Sequence, residues 1–150
     1  MLQLVRIVED LPEDFPALRA EAKAEGWTHI ERLALDWAIG TVRFDKEGEA
    51  LFAAFIGGEL AGIGGMTVDP IDPTASRMRK FFVRRDFREQ GVARALAGAL
   101  MQESAHARRG MTLRADETET PGFWEALGFR PDPCPDGRRA WTHRLPAPDS

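Results

Sequence analysis

Tyrosine is absent from this 150-residue chain, cysteine occurs once and histidine three times. Each scarcity removes a chemistry. Cys134 has no partner for an internal disulfide, and within PDPCPDG it reads as an incidental loop thiol. The three histidines and the cysteine lie scattered, without metal-ligand spacing, so no metal centre is expected. No GxSxG elbow offers a serine nucleophile. No apolar run approaches the roughly 20 residues of a membrane span. The opening MLQLVRIVED lacks a basic region followed by an apolar stretch and a small-residue cleavage site, so no signal peptide is visible and a cytoplasmic location is expected. A surplus of positive charge is lacking too: 20 Lys and Arg against 24 Asp and Glu leave −4, which predicts neither nucleic acid nor an anionic membrane as partner.

What is present is the composition of a soluble globular protein, 43% hydrophobic and 29% charged. The length suits one domain, taken as residues 1–145 with 146–150 as a frayed tail. QLVRIV opens with a strand. Asp10 with Glu13 makes a capping-box pattern, Pro12 suits a first turn, and Leu11, Phe15, Leu18 and Ala22 repeat at helical spacing up to Gly26. Thr28 with Glu31 makes a second such pattern, ahead of a stripe of Ile30, Leu33, Ala34 and Trp37 that Gly40 closes. Two apolar runs about Gly57-Gly58 predict a β-hairpin, with Gly62, Gly64 and Gly65 marking a bulge or close backbone approach. DPIDPTAS reads as a loop, RMRKFFV (77–83) as a strand, and the segment from Val92 as a helix stopped by Gly110. MTLRA (111–115) is a strand, GFWEAL a short helix ended by Gly128, and RRAWTHRL a last strand. The order predicts a mixed α/β fold: one central mixed sheet flanked by about four helices, with a right-handed parallel crossover over 78–115.

The charge is unevenly placed. Between Ser76 and Arg94 stand seven basic residues and two acidic ones, a local +5 against −9 for the rest of the chain. They surround RRDFREQGVARAL, where a strand enters a helix through Gly91. Unpaired N–H groups and the dipole at such a helix start attract anions, phosphates above all.

FFVRRDFREQGVARAL resembles the signature of the GNAT superfamily of acyl-CoA-dependent N-acyltransferases, through Phe82-Val83, Arg88, Gly91 and Ala93. FWEALGF (123–129) resembles the family's second block, with one additional residue between Glu and Gly. The resemblance implies that the pyrophosphate of acetyl-CoA lies on the amides of Arg88, Glu89, Gln90, Gly91, Val92, Ala93 and Arg94, with the pantetheine arm along Phe82 and Val83. It also implies that a backbone N–H of this strand stabilises the developing oxyanion, and that an amine attacks the thioester directly, with no protein nucleophile.

Two positions depart from the family pattern. Trp124 stands where a tyrosine usually protonates the leaving thiolate at the cofactor, and Arg77 where a glutamate commonly relays the amine proton. Other groups are then needed as base: Glu117, favoured here, or Asp116, Asp69, His29 or Glu31. Arg77 suits an acceptor carrying a carboxylate or phosphate, such as an amino acid, and Trp27, His29 and Trp37 lie on the helices that shape the acceptor cleft in the family. The leading expectation is an N-acetyltransferase that moves an acetyl group to a primary amine of a small molecule or an amino terminus. The alternative is a non-catalytic acyl-CoA-binding module acting as a sensor or partner protein. A homodimer is compatible with either.

Overall fold

A computed structural model describes residues 1–115, 119–132 and 141–148. The strands are β1 (Leu2–Arg6), β2 (Ala50–Ile56), β3 (Glu59–Val68), β4 (Ala75–Val83), β5 (Gly110–Leu113), β6 (Arg130–Pro131) and β7 (His143–Leu145), and the helices α1 (Phe15–Ala24), α2 (His29–Ile39), α3 (Val92–His106) and α4 (Pro121–Ala126). The strands form one sheet in the order β1-β2-β3-β4-β5-β7-β6. Every pairing is antiparallel except β4 with β5, the parallel crossover through α3.

Two cores sandwich the sheet. Leu18, Ala22, Ile30, Leu33 and Trp37 of α1 and α2 pack on one face with Leu51, Ile63 and Phe82. Val92, Leu96, Ala97 and Leu100 of α3 pack on the other with Met66, Phe81, Val83 and Trp124. Helical spacing of the apolar residues produces each stripe, and both stripes need a sheet face to leave water. Gly57 and Gly58 both take positive φ (+58° and +84°), as a two-residue hairpin turn requires. Gly62 sits where a Cβ would come within 3.0 Å of the Phe82 carbonyl and of Val92, so β3 can lie this close to β4 and α3 only without a side chain there.

Several local expectations fail for identifiable reasons. Helix α1 starts at Phe15 rather than after Asp10, because a turn from the Pro12 carbonyl to the Phe15 N–H comes first (2.9 Å) and Pro16 then sets the first helical turn. Neither capping box forms. Thr28 is already in a helical conformation and caps nothing, while the Glu31 carboxylate reaches across to Arg19 of α1 (2.7 and 2.8 Å). Helix α3 ends at His106, and Gly110 instead opens β5, where a Cβ would meet the Leu145 carbonyl at 3.0 Å and the Ala147 N–H at 3.3 Å. The tail thus runs against Gly110 as far as Ala147. The first residues of the expected last strand, and Cys134, lie outside the described residues.

One irregularity sets up the site. Ile63 pairs with Phe82 and Gly65 with Arg79, so Lys80 and Phe81 together oppose Gly64. This bulge holds Lys80 at φ +60°. It also switches the side-chain parity of β4: Met78, Phe81 and Val83 face α3, whereas Arg77, Arg79, Lys80 and Phe82 face the α2 side.

Candidate active site

Strand β4 pairs with β5 only over Ala75–Arg77, opposite Gly110–Thr112. Beyond Arg77 the two strands have no mutual pairing, and among the described residues the C-terminal half of β4 presents an open edge. Arg84 donates to Ala61 (2.8 Å) and Phe82 pairs with Ile63, so their backbone groups face β3. By the two-residue period, Phe81 and Val83 direct theirs to the open edge. Side chains occupy both carbonyls there: His29 Nε2 donates to the Phe81 oxygen (2.8 Å) and Arg88 Nε to that of Val83 (3.0 Å). With the carbonyls held, the edge offers N–H donors.

The chain leaves β4 through a 3-10 turn, Arg85–Phe87, and enters α3 at Gly91. Glu89 and Gly91 both adopt left-handed φ, +64° and +83°. The N–H groups of Gly91, Val92, Ala93 and Arg94 find no acceptor among the described residues, and Ala95 is the first to donate back into the helix, to the Gly91 carbonyl (3.0 Å). A Cβ on Gly91 would meet nothing within 4 Å. Glycine is needed there for its φ, and the space before it is open. That space is a cavity of about 600 Å³ lined by Val83, Phe87, Arg88, Glu89, the run Gly91 to Arg94, Glu119 and Phe123. A smaller cavity of about 200 Å³ continues along β4 past Phe81, Phe82 and Trp27. Farther along lies a third, of about 490 Å³, at His29, Arg77 and Lys80.

The arginine cluster does not act as one anion site. Arg84 pairs with Glu21, and Arg88 makes a two-pronged bond to Glu25 (2.7 and 2.9 Å). Glu21 also accepts the Arg85 N–H (3.2 Å). Glu21 in the last turn of α1 and Glu25 just past its end thus clasp two arginines four residues apart in the connection, and the Arg88 guanidinium lies 5.6 Å from the Phe82 ring centre. These bonds use cations to hold the shape of the turn. Arg94 remains at the larger cavity, and Arg77, Arg79 and Lys80 border the third.

A family model for an acetyltransferase (GNAT) domain matches residues 21–146. The chain belongs to the GNAT acetyltransferases. No curated protein matches it in sequence. Its fold is similar to that of a candidate acetyltransferase from Exiguobacterium sp. 255-15, 23% identical, with 97% of this chain and 93% of that one covered and a TM-score of 0.82. The GNAT family N-acetyltransferase YhbS of Escherichia coli, solved with CoA, is 15% identical over 97% of this chain and 81% of its own, with a TM-score of 0.68. The ribosomal-protein-S18-alanine N-acetyltransferase of Escherichia coli is 21% identical over 97% and 90%, with a TM-score of 0.63. These likenesses establish the GNAT fold.

On this GNAT scaffold the positions singled out in the sequence fall unevenly. Gln90 turns its amide to the Asp86 carbonyl (3.1 Å), away from the cavity. The backbone of Phe82 is spent on β3, and it is Phe81 that shares the open edge with Val83. Trp124 has no exposed surface: it packs edge-on against Phe81, Phe123 and Phe129 at 4.9–5.5 Å between ring centres. A core role replaces the one expected at the cofactor, and the aromatic that reaches the cavity is its neighbour Phe123. The FWEALGF block marked this helix, but only the packing tells which of its two adjacent rings faces out.

Among the other candidates, Trp27 meets His29 edge-on (5.5 Å), and Trp37 lies in the core. Asp69 is fully buried and accepts from the Ile71 and Asp72 N–H groups and the Thr112 hydroxyl, so it ties β3 to β5 and is no base. Glu31 is engaged by Arg19, whose hydrogen bonds hold its carboxyl below the usual range. Asp116 and Glu117 lie outside the described residues. Among the described residues no cluster of His, Cys, Asp or Glu could hold a metal ion, and no helix is long and apolar enough to cross a membrane.

Proposed function

We propose that this GNAT protein is an N-acetyltransferase that uses acetyl-CoA and acts on a primary amine. One observation carries the reading: four consecutive N–H donors without an acceptor among the described residues, Gly91 to Arg94, border a 600 Å³ cavity at the end of a strand edge that no described residue pairs with. A diphosphate fits such a helix start, since it supplies several acceptors and its charge is favourable at the positive end of the dipole. The pantetheine arm, an extended chain with two amides, fits the edge of Phe81 and Val83 as an added strand would. Acetyl-CoA, when bound, supplies an activated acyl carbon. The chain's own task is to hold it, orient the amine and take up a proton.

We assign the proton to His29. Its Nε2–H is committed to the Phe81 carbonyl, which fixes the ring beside β4. Its place at the third cavity, next to the edge that would carry the thioester, suits an incoming amine. Arg77, where many relatives carry glutamate, is no base, and the leaving thiolate takes its proton from water. The alternative, a module that binds without turnover, draws on the burial of Trp124, which leaves no indole or phenol at the cofactor.

Calorimetry with acetyl-CoA and with acetyl-pantetheine tests the binding half. Acetyl-CoA should bind about 100-fold more tightly or better, the effect of two charge-assisted hydrogen bonds. Equal affinities would sink the assignment of the helix start. Release of free thiol across an amine panel tests the catalytic half. His29→Ala should lose it and His29→Gln should not restore it, with acetyl-CoA affinity retained in both. Turnover unchanged in both variants would exclude His29.

A further inference from the structure

The third cavity carries a charge pattern that says what its occupant is. Arg77 and Arg79 border it from β4, and the bulge at φ +60° turns Lys80 to the same side, where regular alternation would have sent it into the α3 core. Arg32 faces them from α2. The one carboxylate among the described lining residues is Glu31, and Arg19 from outside the cavity already holds both its oxygens. Arg79 reaches the Thr67 hydroxyl (3.2 Å). Arg32 and Arg77 make no side-chain hydrogen bond or ion pair to any described residue, although Arg77 is half-buried. Arg77 from the strand and Arg32 from the helix thus border, without a partner among the described residues, a space of about 490 Å³ that begins at His29.

Resting on the acetyl-transfer reading, we infer that the acceptor is an amine bearing an anionic group, a carboxylate or a phosphate, which docks on Arg77 and Arg32 while its amine points to His29. Guanidinium groups without a partner bind such oxygens through paired N–H donors. The two guanidinium groups lower the proton affinity of an amine brought beside them, because an ammonium would face like charge. The cavity therefore holds the acceptor by its anion and favours the neutral, nucleophilic form of its amine. Polyamines and other acceptors that are only cationic are disfavoured by the same two guanidinium groups.

The test uses matched acceptors with the full-length protein and saturating acetyl-CoA: 4-aminobutyrate against 4-aminobutanamide, phosphoethanolamine against ethanolamine, and putrescine. Thiol release should favour the anionic member of at least one pair by about tenfold or more in kcat/KM, the effect of one charge-assisted hydrogen bond. The pair that responds separates carboxylate from phosphate. R77Q and R32Q should each shrink that preference through KM, with R77K retaining part of it, and with stabilisation by acetyl-CoA unchanged. Equal rates within every pair, silence on all five acceptors included, overturn the inference, as does an anionic preference that survives R77Q combined with R32Q. Loss of the acetyl-CoA stabilisation in the unsubstituted protein would instead count against the cofactor reading, so the two failures are distinguishable.

Discussion

Gly91 allows the helix-start argument to be tested in separable parts. Its φ of +83° lies in the left-handed region, and nothing stands within 4 Å of a built Cβ. Gly91→Ala therefore tests backbone strain alone: about 1–2 kcal/mol for a residue with a Cβ in this region. In a domain of this size that is a fall in Tm of roughly 2–8 °C. Gly91→Gln adds bulk in the cavity, and Gly91→Glu adds the same bulk with a negative charge. Opposed to a phosphate charge at about 4 Å in an effective dielectric near 20, that carboxylate costs about 4 kcal/mol, close to a thousandfold in Kd. Thermal melts of the free variants measure the strain, and calorimetry with acetyl-CoA at low salt measures the charge. All three substitutions should lower Tm by similar amounts. The gap in acetyl-CoA affinity between Gln and Glu should be two to three orders of magnitude and should narrow with added salt. Equal Kd values for Gly91→Gln and Gly91→Glu would refute the placement of the diphosphate.

Further outcomes follow from the same geometry. Trp124→Ala should cost about 3–5 kcal/mol in urea unfolding, because a fully buried ring among Phe81, Phe123 and Phe129 leaves a cavity; a loss below about 1 kcal/mol would contradict its core role. A double-mutant cycle on Glu25 and Arg88 should give a coupling of at most about 1 kcal/mol in stability, as partly exposed pairs do. Either single change should weaken acetyl-CoA binding through the loosened turn, and unchanged binding in both would remove Arg88 from the cofactor site. The Thr74 hydroxyl, with Arg144, holds the Asp72 carboxyl below its ordinary value of 3.8, so its stabilisation is present above that value and disappears as pH falls through the lowered one. The Tm difference between wild type and Asp72→Asn should accordingly shrink below about pH 4, and a constant difference from pH 7 to pH 3 would contradict the linkage.

Much was legible in the sequence because it depends on local order. The stripe of Ile30, Leu33 and Trp37, the Gly57-Gly58 turn and the strand–Gly91–helix connection are periodic or conformational signals within a few residues of one another, and they appear in the structure as read. The two GNAT-like blocks are equally local. Tertiary structure decided where the charges go. Glu21 and Glu25 meet Arg84 and Arg88 across 63 residues of chain, so a basic run read as an anion site is largely a clasp. Glu31, which local spacing assigned to a cap, is taken by Arg19 from another helix. The bulge at Lys80 reverses the parity of β4, which moves Phe82 off the open edge and gathers three cations on one side. Backbone conformation is set by neighbours along the chain and can be read from it; the partner of a long charged side chain is set by whichever element folding brings within reach, and only the packed sheet determines that.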